Sequence, residues 1–454
     1  MSSEWLIKRL GDCCEKIGSG ATPKGGKDAY LDQGPVRLIR SQNVHNNGFS
    51  SSGLAYISEE QARKLEGVSV KAGDVLLNIT GDSVARVCQA PQQFVPARVN
   101  QHVAIIRPTQ RDFDARFLRY FLASPQQQDL MMGLAAAGAT RNALTKRMIE
   151  DFQVPCPPLC VQQNVADTLG CLDDRITLLR ETNATLEAIA QALFKSWFVD
   201  FDPVRAKMTG HPPEGMDAAT AALFPDSLEE SEQGLVPKGW KLVPFGNLLS
   251  HTIGGDWGSD APDEKNDTRV AIIRGTDIPD LQSGGENRVP IRYTSAKKLA
   301  SREIQDGDIV LEVSGGSKDQ PTGRSLYMTE MLLRKFECPV EPASFCRLFR
   351  PTDRGLGILL SQHLTFIYAA GKTWEYQNQS TGIANFQTTH FLEKELVAVP
   401  GGGVLELFAS LVRPIFDRVQ AAQIGELAKL RDTLLPRLIS GQLRITDIAE
   451  EVAA

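Results

Sequence analysis

The sequence predicts an α+β protein in which one plan, a globular α/β domain followed by a long helix, is used twice. Three observations predict it: an internal repeat, a matching order of short Val/Ile-rich runs in each copy, and a heptad seam after each. The repeat has an offset of about 234 residues that grows to about 245. Val36-Arg-Leu-Ile-Arg40 answers Val270-Ala-Ile-Ile-Arg274, and Ala72-Gly-Asp-Val-Leu76 answers Asp306-Gly-Asp-Ile-Val310. Ile106-Arg-Pro108 answers Phe349-Arg-Pro351, Arg141-Asn142 answers Ala384-Asn385, and Val154-Pro155 answers Val399-Pro400. Two repeats of this length are too few for a solenoid, so they describe two copies of one domain.

Within each copy, runs such as Val36–Ile39, Val75–Ile79, Val103–Ile106, Val270–Ile273 and Ile309–Val313 lie between Gly, Pro, Asn and Asp clusters. β-branched side chains bounded by turn residues read as strands. Helical stretches at Phe113–Ala123 and Gly355–Ala370 interleave with them, and each globular part stops at a Pro/Gly-rich segment. The expected boundaries are 1–158 for the first domain, 159–199 for its helix, 200–236 for a linker, 237–402 for the second domain, 403–441 for its helix and 442–454 for a tail. The linker is acidic and Pro/Gly-marked, with one short helix expected at Ala218–Leu223.

The first seam runs Val165, Leu169, Leu172, Ile176, Leu179, Asn183, Leu186, Ala190, Leu193, Trp197, alternating steps of four and three. Asn183 occupies one seam position, where a buried amide costs stability and fixes register. The second seam is less regular: Phe408, Val412, Ile415, Val419, a slip, then Leu427, Leu430, Leu434, Leu438. Pro414 is expected to kink or restart that helix.

At 454 residues with 42% apolar and 23% charged side chains, the composition is that of ordinary globular domains. The net charge of −6 is uneven: +5 over residues 1–150, −8 over 151–239, −2 over 240–400 and −1 over 401–454. A uniformly basic nucleic-acid coat is excluded, while local basic patches remain open. Neither a membrane span nor a signal peptide is readable, and eight scattered Cys read as reduced cytoplasmic thiols. Cys156 and Cys160 have no His close by in sequence, which argues against structural zinc.

The sequence carries no concentrated catalytic motif. No phosphate loop, nucleophile elbow or Asn/Asp-Pro-Pro-aromatic methyltransferase loop is present, and Asp263-Glu-Lys265 is a chance-level nuclease match. What remains are polar side chains suited to base edges: Arg for guanine, Asn and Gln for adenine. The candidates in the first copy are Arg37, Arg40, Gln42, Asn43, Asn46, Arg98, Asn100, Arg141 and Asn142. In the second they are Arg269, Arg274, Lys318, Arg324 and Asn385. Positions shared by the copies, Arg40 with Arg274 and Asn142 with Asn385, are expected to hold phosphate or fold, and positions that differ to read bases.

Two domains of one plan, each followed by a long helix, resemble the specificity subunit of type I restriction-modification systems. Leu430-Arg-Asp-Thr-Leu-Leu-Pro-Arg-Leu-Ile-Ser-Gly-Gln-Leu443 looks like the family signature ending the second conserved helix. Leu193-Phe-Lys-Ser-Trp-Phe-Val-Asp-Phe-Asp-Pro203 looks like its counterpart after the first, and Pro237-Lys-Gly-Trp240 resembles the opening of a target-recognition domain. The resemblance implies two target-recognition domains in a pseudo-two-fold internal repeat, each reading half of a bipartite double-stranded DNA target. It implies that the helices form an antiparallel coiled coil that sets the spacing and docks two modification subunits, through Leu169, Leu172, Ile176, Leu179, Asn183, Leu186, Leu193, Trp197, Val419, Leu427, Leu430 and Leu434. It further implies a non-catalytic chain that binds no cofactor, S-adenosylmethionine, ATP and Mg belonging to the modification subunits and two restriction subunits. A two-domain protein scaffold remains an alternative, and a self-contained methyltransferase or nuclease a weaker one.

Overall fold

The structure is a computed structural model, and it describes residues 5–137, 142–231, 234–285, 288–317, 320–380, 383–401, 403–421 and 423–444. The chain divides into two compact units. The first joins residues 1–175 to 427–454; the second is the continuous stretch 176–426.

In the first unit, strands Cys14–Ser19, Val103–Pro108, Val75–Asn78 and Val87–Gln89 lie side by side in that order. A second sheet has the order Ala55–Ile57, Val36–Ile39, Ala97–Val99, Ser69–Val70, and its Val36–Ile39 and Ala97–Val99 strands run parallel. A short antiparallel ladder, Leu6–Arg9 on Gln153–Cys156, brings the two ends of the domain together. Val75–Asn78 is buried at every residue, its Val75-Leu76-Leu77 run being apolar without interruption, as in a sheet covered on both faces.

The second unit has the same strand order. Leu249–Gly254, Cys346–Pro351, Ile309–Glu312 and Ser325–Tyr327 form the first sheet. Ile291–Thr294, Thr268–Ile273 and Val340–Pro342 form the second, again with a parallel pair. Lys241–Pro244 pairs with Leu396–Val399 as the closing ladder.

The first long helix is a single element of 40 residues, Leu159–Phe198, or ~60 Å at ~1.5 Å per residue. Pro157 and Pro158 precede it, where a missing N–H costs nothing. Gln162, wholly buried, ties its first turn to the domain: its amide accepts from the Asp114 N–H at 2.9 Å and donates to the Asp112 and Pro157 carbonyls at 2.9 Å each. Val165 and Leu169 belong to the first unit's core together with Leu435, Leu438 and Ile439. Ala190, Phe194 and Trp197 belong to the second unit's core together with Val404, Phe408 and Val412.

The structure departs from the sequence pattern in three places. The helix passes through Pro414 as Val404–Val419, and the interruption comes later, before a second segment, Gln423–Ile439. There the Gln420 side chain leaves the helical path, donating to the Tyr327 carbonyl at 2.6 Å and accepting from the Thr329 hydroxyl at 2.8 Å. The break also resets the apolar stripe: Leu430 is 47% exposed, while Leu435, Leu438 and Ile439 are buried. Finally, the linker is structured, with helices Asp202–Met208 and Ala218–Ala222 and a hairpin of Leu228–Ser231 with Gly234–Pro237. Phe201, Val204 and Phe224 anchor it, the Phe224 ring lying 4.9 Å from Trp197 and the Phe201 ring 5.9 Å from Trp240. Among the described residues no helix is long and apolar enough to cross a membrane.

Of the remaining seam residues, Ile176, Leu179, Asn183 and Val419 are buried, and Leu172, Leu186, Leu193, Leu427 and Leu434 are half-buried. In the second unit the paired helices run antiparallel: the Asn183 amide reaches the Val419 carbonyl at 3.4 Å, and further along Phe198 meets Phe408 edge to face at 4.8 Å. Asn183 also donates to the Ser283 carbonyl at 3.3 Å. It serves the carbonyl left over where the helix ends, which is why an amide is tolerated in the seam.

Candidate nucleic-acid interface

At one end of the first unit's sheets the chain turns through a set of polar loops. Arg40 donates through its guanidinium to the Gly53 carbonyl and lies 5.3 Å over the Tyr30 ring. Gln42 donates to the same carbonyl at 3.1 Å. Next to these, His102 bonds the Thr80 hydroxyl at 2.5 Å and the Gln101 amide at 3.0 Å, and Gln101 in turn meets the Thr22 hydroxyl. Asn142, exposed, accepts through its carbonyl from the Gly81 N–H at 3.2 Å. Arg37 sits between the Tyr56 and Phe94 rings, 5.9 and 6.0 Å away.

Four expected base readers are committed elsewhere. Asn43 is fully buried; its side chain accepts from the Arg40 N–H at 3.0 Å and donates to the Ser50 and Ser52 carbonyls at 2.9 and 3.1 Å. Asn46 accepts from the Val87 N–H at 2.8 Å and donates to Gln128 at 3.1 Å. Arg98 is buried on the Ala62 and Ala97 carbonyls and Glu66. Asn100, also buried, accepts from the His102 N–H at 3.1 Å. Asn43, Arg98 and Asn100 are scaffold residues, since a buried amide or guanidinium with its partners satisfied gains nothing by turning outward, whereas Asn46 is exposed and is held only by its hydrogen bonds. Arg141 and Lys318 lie outside the described residues.

In the second unit the corresponding end carries a cavity of about 580 Å³ lined by Trp257, Arg274, Thr276, Glu312, Arg324 and Phe345, with small residues between them. Arg274 makes a two-pronged pair with Asp277, at 2.9 and 2.7 Å. Arg324 makes another with Glu312, its Nε at 2.8 Å from one carboxylate oxygen and Nη2 on the other. Each carboxylate raises the pKa of the arginine it holds, and such pairs fix the guanidinium plane. Arg269 is exposed beside Glu337 at 3.7 Å and does not line the cavity. Asn385 is exposed on the strand Ile383–Phe386 and pairs with Ser314.

Backbone hydrogen bonds set these two faces in register. Ile79 N–H donates to His102 and Val313 N–H to Phe345, both at 2.9 Å. Asn78 N–H donates to Arg86 and Glu312 N–H to Arg324, both at 2.8 Å. Arg40 N–H meets Asn43 Oδ1 as Arg274 N–H meets Asp277 Oδ2. Gly20 and Gly255 are equivalent as well: an added Cβ would fall 1.7 Å from the Val99 carbonyl oxygen in one and 2.2 Å from that of Pro342 in the other, so only glycine allows the crossing. The arginine pairs Arg40/Arg274 and Arg86/Arg324 are therefore common to both copies. Thr22/Trp257, Gln42/Thr276, Asn78/Glu312, Gln101/Ser344 and His102/Phe345 differ.

The polar, base-reading pattern in the sequence does not mark Trp257, Phe345 or Arg86, two of which are aromatic. Counting outward from Ile79 and Val313 would have found all three. The expected match of Asn142 with Asn385 is also corrected by one residue, because Thr80 bridges Ala143 where Ser314 pairs with Asn385.

Elsewhere in the first unit, Asp173 joins the long helices: it accepts from Arg119 at 3.0 Å, Tyr120 at 2.7 Å and Arg431 at 2.8 Å. Burial disfavours its charge, and the Arg119 and Arg431 guanidiniums outweigh that and hold its pKa low. Among the described residues no group of three or more His, Cys, Asp or Glu is placed to hold a metal ion.

The family model for the type I restriction modification DNA specificity domain matches residues 2–188. The chain is 24% identical to the type I restriction enzyme MjaIX specificity subunit of Methanocaldococcus jannaschii, over 98% of this chain and 95% of that one. It is 25% identical to the HindI specificity subunit of Haemophilus influenzae, over 97% and 100%. Its fold resembles the crystal structure of the type I restriction-modification S subunit from M. genitalium, with a TM-score of 0.53 at 14% identity and 96% of both chains covered. Repeat, fold and likeness agree: residues 2–188 match the type I restriction modification DNA specificity domain, and nearly the whole chain is similar to type I restriction enzyme specificity subunits.

Proposed function

We infer that this chain is the part of a type I restriction-modification complex that chooses the DNA sequence. Each domain reads one half of a bipartite target, and the antiparallel helices, acting as a coiled coil about a pseudo-two-fold axis, space the halves and dock two modification subunits. The observation that carries this reading is the loop face built twice in one backbone register with unlike side chains: equal frames, different letters. Common arginines suit a contact that every sequence offers, the phosphate backbone, while differing side chains suit base edges. The chain itself performs no catalysis in a cytoplasmic assembly. S-adenosylmethionine is held by the modification subunits, and ATP and Mg serve two restriction subunits.

Methylome sequencing of a host expressing the chain with its modification subunit tests this. The expected motif has two unlike halves separated by a fixed, unread spacer. Removing one heptad from each long helix shortens the spacing element by ~10 Å, or about three base pairs at ~34–36 Å per ten, and abolishes methylation of the original motif. A single palindromic motif, or an unchanged spacer after that deletion, contradicts the reading.

A further inference from the structure

The two faces differ most sharply at one backbone-equivalent pair of sites. In the first domain, Thr22, Gln101 and His102 form a chain of hydrogen bonds ending at Thr80. At the same places the second domain has Trp257, Ser344 and Phe345. Phe345 is 66% exposed and Trp257 41% exposed, and both line the 580 Å³ cavity. Gly275, Gly315 and Ala343 line it as well, so little side chain stands between the aromatic rings and the floor. The floor carries Arg274 and Arg324, each fixed by its carboxylate. An aromatic side chain left two-thirds exposed beside oriented guanidiniums is a surface waiting for an occupant with one apolar and one polar edge.

We propose that this cavity reads a thymine through its C5-methyl group, with Phe345 and Trp257 as the apolar wall and Arg324 facing the neighbouring polar base edge. The inference rests on the reading of the chain as a DNA specificity subunit. The occupant follows from major-groove chemistry, in which the thymine methyl is the one apolar group that a base pair presents. The first domain, with amide, imidazole and hydroxyl at the same register, reads a donor or acceptor there instead. The arginines are common to both copies and cannot distinguish the half-sites. The aromatic pair can.

The test uses the full chain assembled with its modification subunits and the bipartite duplex that the complex methylates. Each thymine of the target is replaced in turn by uracil, which lacks only the methyl. At one position, affinity falls about fourfold, the worth of one buried methyl group. In the Phe345→Ala complex that position no longer distinguishes thymine from uracil, while every other position behaves as before. 5-Iodouracil placed there forms its photo-cross-link at Phe345 or Trp257. Because Phe345 is exposed, Phe345→Ala leaves the melting temperature and assembly with the modification subunit unchanged, and Trp257→Ala, which also uncovers the Arg292 guanidinium, leaves assembly unchanged. A uracil penalty that survives in both variants, a cross-link in the first domain, an affinity loss equal on all sequences, or failed assembly overturns the proposal. A complex that methylates no bipartite motif at all overturns the underlying reading instead.

Discussion

Glu341 lies in the middle of the strand Val340–Pro342, fully buried, and neither of its carboxylate oxygens has a hydrogen-bond partner among the described residues. Burial, and then the charge of Asp256, push its pKa from an ordinary 4.5 up to about 7, with Arg302 and Lys298 pulling the other way. Below pH 4.5 the carboxyl is protonated whether the chain is folded or not. As pH rises toward 7 the unfolded chain releases the proton and the folded one resists, so stability falls across that window. Glu341→Gln should raise the melting temperature at pH 8 and leave it unchanged at pH 4, read by thermal denaturation in matched buffers. The backbone-equivalent residue of the first domain is Arg98, satisfied by two carbonyls and Glu66, so the same strand position holds a partnered cation in one domain and a carboxyl that resists ionisation in the other. Residue type alone could not foresee this. The sequence marks Asn43, Asn46 and Arg98 as suited to bases, but a donor that suits a base suits a carbonyl equally, and only the folded loops show which one it meets. Arg40, Arg274 and Arg324 stayed at the candidate interface because each is only partly covered by its internal partner.

The two long helices teach a different lesson about legibility. Heptad spacing revealed the first helix almost to the residue, since nothing interrupts 40 residues of regular phase. The second helix breaks around Gln420, and a seam carried across a break loses its phase, because each residue outside helical geometry turns the stripe away. The break is closely packed: Gly284, at a φ of 70°, lies so near that an added Cβ would stand 2.5 Å from the Val419 carbonyl oxygen. Neither that approach nor the Gln420 contacts is local in sequence. The corrected phase has a measurable consequence. Leu438→Ala, at a fully buried site, should cost about 2–5 kcal/mol, whereas Leu430→Ala, at a half-exposed site, should stay within about 0.5 kcal/mol. Denaturant unfolding of the two variants distinguishes the phases, and equal costs would restore the uninterrupted seam.

At the scale of the whole molecule the duplication was legible because it is written in sequence, whereas the division of labour between segments was not. The repeat suggests two consecutive halves. The compact units are instead nested: residues 427–454 return to complete the unit begun by residues 1–175. Leu435, Leu438 and Ile439 fill that unit's core, and Arg431 supplies one of the two arginines on Asp173. A chain ending at Glu426 should therefore keep 176–426 folded and lose the first unit, so that limited proteolysis trims residues 5–175 and leaves the later fragment protected. Equal protection of both would show the first unit to be self-sufficient. The nesting also imposes an order of birth. Some 250 residues separate Arg175 from the segment that completes its unit, and at ~5–20 residues per second of synthesis that is roughly 10–50 s during which the first-made domain waits unfinished. The second unit, continuous in the chain, is complete before that wait ends. In the cell, the domain that leaves the ribosome first is thus the last to close, and during that interval its uncovered apolar surface makes it the part most exposed to chaperones and proteases.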